Sequence, residues 1–130
     1  VTALLDPGSN LTTTDWAEFG NPRADPRVKN YLEQLSPAAT VRSLDPHSCP
    51  LPRAWIRTAE QDARVDSAAV KQFCELYRDA AISTDADHVV YRVTTGGHVE
   101  GQSFEQAHEE NLLAHAWLLD LLDSPCIQAI

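Results

Sequence analysis

Two β-rich runs, each opening into a polar loop that leads to a helical stretch, constrain this chain more than any other feature. Pro52 to Thr58 (PRAWIRT) is mostly apolar, rich in strand-favouring residues, and opens into the loop Ala59 to Arg64. Asp66 or Ser67 then caps a helix running to Asp79, with Val70, Phe73, Cys74 and Tyr77 on one face. His88 to Thr94 (HVVYRVT) is the next strand and is broken by Gly96 and Gly97. Phe104 to Leu122 follows as a long helix with an apolar stripe of Leu112, Leu113, Ala116, Leu119 and Leu122. Strand, helix, strand, helix is the order of a parallel sheet with helical crossovers. Val1 to Leu5, apolar and followed by Asp6, Pro7 and Gly8, adds a third strand or the tail of one. The fold class is therefore α/β, with about three mainly parallel strands flanked by helices.

Between the first strand and Pro46 the chain is punctuated by Gly20, Pro22, Pro26, Pro37 and Pro46. One helix is expected there, from Pro26 to Leu35, with Val28, Tyr31, Leu32 and Leu35 at helical spacing. A length of 130 residues with 43% hydrophobic residues suits a single unit, 1–130, with a modest core. Ten Lys and Arg against nineteen Asp and Glu, a net charge of -9, would repel a polyanion, so nucleic acid is set aside as a partner. No apolar run reaches the roughly 18 to 20 residues that span a bilayer, so no membrane partner is expected. The chain has no Met, so Val1 is not expected to be a translation start. Cys49, Cys74 and Cys126 are odd in number and widely spaced, which fits neither a disulfide framework nor a zinc pattern. A reducing, cytoplasmic compartment is favoured over a periplasmic or secreted one.

In such a sheet, polar residues just past the carboxyl ends of the strands are where a site is expected. Asp62 lies in the first such loop and His98 directly after Gly96 and Gly97 in the second. A carboxylate there can hold the tautomer of an imidazole and stabilise its charged form. The competing reading is structural: Asp at such a place caps a turn, and Gly-Gly makes one. Arg64, beside the acid, is either a surface residue or a donor to a substrate carbonyl. His108 and His115, seven apart on one helix face, are read as structural or solvent-facing, and no metal or cofactor is expected.

The run LPRAWIRTAEQDARVDSAAVKQF resembles the strand, acid loop and helix of the prolyl oligopeptidase family of serine peptidases. VVYRVTTGGHVEGQSFEQAHEE resembles that family's strand, histidine loop and final helix, and LLDPGSNLTTTDWAEFGNPRADPRVKNYLEQLSPAATV the segments before them. The ordered set runs to about Leu122. It implies the C-terminal portion of an α/β-hydrolase domain, with Asp62 as triad acid and His98 as general base. By the same resemblance Arg64 donates to a substrate carbonyl, Val65 lines the pocket beside it, and Trp16 stacks on a substrate proline. Trp16 lies one residue nearer Gly20 than the family pattern has it, and strict spacing puts Asp15 there. His98 is followed by Val99 and Glu100 where glycine or alanine is usual.

Triad chemistry of this type also needs a serine on a Gly-x-Ser-x-Gly elbow, upstream of the acid and base in chain order. No serine of the chain has that setting, Ser9, Ser36, Ser67 and Ser103 among them, so no nucleophile of this kind is expected in it, and the family's N-terminal propeller is missing too. The expectation is a partial catalytic domain, inactive alone, from a parent that cleaves short peptides, with selectivity after proline resting on Trp16. An esterase or acylaminoacyl peptidase on the same scaffold, and a non-catalytic binding or assembly module derived from it, are the alternatives. An isolated chain is expected to self-associate or to need the rest of the catalytic domain, because its first strand would lose a neighbour.

Overall fold

A computed structural model describes residues 15–45, 47, 50–81, 88–97 and 103–122. They form five helices and two strands: α1 (Trp16–Phe19), α2 (Pro26–Gln34), α3 (Pro37–Ser43), β1 (Ala54–Ala59), α4 (Ser67–Ala80), β2 (Val89–Thr94) and α5 (Phe104–Leu122). The expected strand at Val1 to Leu5 lies outside the described residues.

The centre of the molecule is β1, α4 and β2. Asp66 starts α4, its side chain accepting the Ala68 amide at 3.0 Å, which satisfies one of the donors that a helix start leaves open. Cys74 and Tyr77 are buried at helical spacing, with Phe73 packed beside Tyr77. The two strands pair in parallel from Ala54 opposite Val89 to Ala59 opposite Thr94. Side chains alternate across a strand. Ala54 and Ile56 therefore join Val89 and Tyr77 in the core under α4, while Trp55 faces α5. The Tyr77 hydroxyl donates to the Pro52 carbonyl at 2.8 Å and Arg78 donates to the Val89 carbonyl at 3.3 Å, so α4 grips the chain before β1 and at the start of β2.

Two parts of the sequence reading change. Pro37 was expected to interrupt the chain, yet it opens α3 as the first helical residue after Ser36, a place where its missing N–H costs no bond. Val41 of α3 enters the core beside Tyr77 and Val89. In α2, Leu32 is buried as the spacing predicts, whereas Tyr31 and Leu35 are exposed because the helix meets the rest of the molecule along a narrower stripe. Gly20, at φ 84°, lies against the methyls of Val28, so the turn between α1 and α2 combines a left-handed backbone with a close approach.

The larger correction concerns α5. Its boundaries are as expected, and Ser103 and Gln106 cap its start reciprocally, amide to side chain at 3.0 and 3.2 Å. The leucine stripe does not face the sheet. The less exposed side is Ala107, Glu110, Ala114, Trp117 and Leu121, with Trp117 against Trp55 at a ring separation of 5.7 Å and Glu110 bonded to Arg92 at 2.8 Å. Leu112 is left 56% and Leu119 60% exposed. The helix is apolar on most of its circumference, so periodicity alone cannot choose the inward side; small alanines and one tryptophan decide it.

Candidate active site

Because β1 and β2 are parallel and end level with one another, the loops that leave them share one edge of the sheet. The pairing continues beyond the strands: the Glu60 amide donates to the Thr94 carbonyl at 3.0 Å and the Gln61 amide to the Gly96 carbonyl at 2.9 Å. Gly96 has φ 94°, a conformation open to glycine and strained for other residues, and this turns the chain at the end of β2. The acid loop and the glycine turn are thus joined by main-chain bonds one residue before Asp62.

Asp62 organises its own loop. Its Oδ1 accepts the amides of Arg64 at 2.8 Å and Val65 at 2.9 Å, an Asx turn that fixes the orientation of the carboxylate. Asp62 is half-buried, while Arg64 and Val65 are exposed. The structure therefore brings Asp62, Arg64 and Val65 into one turn at the carboxyl edge, against Gly96. The expected base, His98, with Val99 and Glu100, lies outside the described residues. Trp16 is in α1, half-buried, and its indole N–H has no hydrogen-bond partner among the described residues.

Two threonines in this region escaped the sequence reading. Thr58 and Thr94, near the ends of the two strands, are both buried, and the Thr94 hydroxyl donates to the Thr58 carbonyl at 3.2 Å. Nothing in the sequence signals that bond, which depends on the register of the strands.

Cys74 is no candidate nucleophile. It is 1% exposed, and burial pushes its thiol up from the ordinary value, so the reactive thiolate is disfavoured. His108 and His115 are exposed on α5, and His108 stacks on Phe104 at 6.2 Å between ring centres. Among the described residues no group of three or more His, Cys, Asp or Glu side chains could hold a metal ion. No described helix is long and apolar enough to cross a membrane.

Against known proteins, the chain is similar to Protease 2 of Moraxella lacunata, 30% identical over 123 residues. The match covers 94% of this chain and 17% of that protein. No family model matches the chain, and no solved structure does. The similarity thus runs through α1 to α5 with the candidate site inside it, and corresponds to a small share of a longer polypeptide.

Proposed function

We propose that this chain carries the acid and base of a serine-type peptidase, Asp62 and His98, as the C-terminal portion of an α/β-hydrolase catalytic domain. The observation that carries the reading is the bond from the Gln61 amide to the Gly96 carbonyl, which ties the acid loop to the turn that leads into His98. The similarity to a protease along most of the chain supports it. In this mechanism His98 takes the proton of a serine supplied by another part of the parent polypeptide and returns it to the leaving amine. Asp62, oriented by its Asx turn, holds the imidazole and stabilises its charged form. Arg64 and Val65, exposed in the same turn, meet a short peptide substrate, the first as donor to a carbonyl and the second as apolar lining. Trp16 is assigned the stacking of a substrate proline. Alone, the chain is inactive and either self-associates or takes up the rest of the domain. The same scaffold would serve an esterase or acylaminoacyl peptidase, distinguished by comparing ester and peptide substrates on the parent.

A second reading has its own support: an aspartate whose Oδ1 accepts two amides of its own turn is also what a non-catalytic binding or assembly module would keep for folding. Titration separates the two. In NMR spectra of the chain the His98 imidazole is expected to titrate about one pH unit higher than in the Asp62→Asn variant, since a nearby carboxylate favours the charged ring. Equal midpoints would refute the pairing and favour the assembly module. The chain is also expected to show no labelling by a serine-directed fluorophosphonate, and stoichiometric labelling would reveal a nucleophile that the proposal does not allow.

A further inference from the structure

We propose that Thr94 is a positioning residue for the acid loop, an assignment that rests on the pairing of Asp62 with His98. The residue is 8% exposed and engages the end of β1 twice. Its hydroxyl donates to the Thr58 carbonyl at 3.2 Å and its own carbonyl accepts the Glu60 amide at 3.0 Å. Between these two attachments lies Ala59, the last residue of β1, whose carbonyl accepts the Asp62 amide at 3.4 Å. The next bond along, from the Gln61 amide to the Gly96 carbonyl, falls two residues beyond Thr94. The chain is therefore held at residues 58, 60 and 61 immediately before Asp62, and two of those three attachments belong to Thr94.

A shift of the acid loop along the strand axis would break both Thr94 bonds together. The hydroxyl matters because a main-chain ladder alone leaves the end of a strand pair open to fraying, whereas a buried side-chain donor adds a bond that water does not readily replace. Thr58 provides the internal comparison. It is equally buried one register step away, but its own hydroxyl has no partner among the described residues. An isosteric change at Thr58 removes an unused hydroxyl; the same change at Thr94 removes a fastening.

The test uses the whole chain and four variants: Thr94→Val, Thr94→Ser, Thr58→Val and Asp62→Asn. In the unsubstituted chain, the Glu60 and Gln61 amides are expected to exchange with solvent as slowly as amides within β1, and exchange at the rate of an open loop overturns the proposal whatever the variants do. Thr94→Val is expected to speed exchange at both amides about tenfold. It should also move the His98 titration at least halfway to its position in Asp62→Asn, a readout that loss of packing alone would not shift. Thr94→Ser, which keeps the hydroxyl, and Thr58→Val should titrate like the parent. If Asp62→Asn moves the His98 midpoint and Thr94→Val does not, the positioning role is refuted while the acid and base pairing stands. If Asp62→Asn itself has no effect, the pairing fails and the role of Thr94 falls with it.

Discussion

Replacing Tyr77 with alanine is expected to remove most of the chain's folding stability at 25 °C and move its unfolding midpoint to far lower urea. Tyr77 is a buried member of the core cluster that joins α3, α4 and β2. Its ring packs with Val41 of α3 and Val89 of β2 and meets Phe73 edge-on at 5.8 Å, while its hydroxyl holds the Pro52 carbonyl ahead of β1. Truncating a buried aromatic side chain costs about 3 to 5 kcal/mol, and whole domains are stable by only about 5 to 15. The core here is small, so the loss should consume most of the margin. Urea titration followed by far-UV circular dichroism measures it directly; a midpoint within error of the parent would show that the core is not organised around this ring. Tyr77→Phe keeps the ring and removes only the bond to Pro52, and should cost about 1 kcal/mol. Burial also pushes the Tyr77 phenol up from its ordinary value, so the group keeps its proton and its bond to Pro52 further into the alkaline range than an exposed tyrosine would.

The second large effect is expected on α5. We expect the unsubstituted chain to associate through the exposed leucines of α5, and the double substitution of Leu112 and Leu119 by glutamine to run as a single-chain species, read as the mass from light scattering during size-exclusion chromatography. Both residues lie on the side turned away from Trp55 and Arg92, and both are more than half exposed. Exposed leucines two helical turns apart, joined by Leu113, Leu118 and Leu122 around the same helix, make an apolar surface of the kind a free monomer seldom carries. Glutamine retains helix propensity, so helix content should stay the same. An unsubstituted chain that runs as a stable monomer would contradict the prediction before any variant is made.

These cases also show what the sequence could disclose. β1, α4 and β2 were legible because local signals agreed with packing: Asp66 at the cap, four apolar residues at helical spacing, and two strand runs ended by polar or glycine loops. The gathering of Asp62, Arg64 and Val65 at the carboxyl edge followed from that order. Helix α3 was not legible, since seven residues are too few for a periodic pattern and Pro37 reads equally well as a break or as a first turn. The inward side of α5 was hidden for the opposite reason, an excess of apolar residues. Periodicity selects the larger side chains, whereas the sheet accepts the side bearing Ala107, Ala114 and Trp117. The Thr94 fastening depends on which residue of β2 stands beside Thr58 and Ala59, a matter of register that neither strand states by itself.

The parallel pairing of β1 with β2 also dictates how the molecule must assemble. A hairpin can zip from its turn, each bond bringing the next pair together. Here the first residue of β1, Ala54, pairs with Val89, and α4 lies in the chain between them. No ladder bond can therefore form until a long loop has closed, at an entropic cost that only α4, docked across both strands, offsets. Folding is therefore expected to be slower than that of a hairpin-built sheet of the same size, and the edge that carries Asp62 and Gly96 is complete only once β1 and β2 have paired.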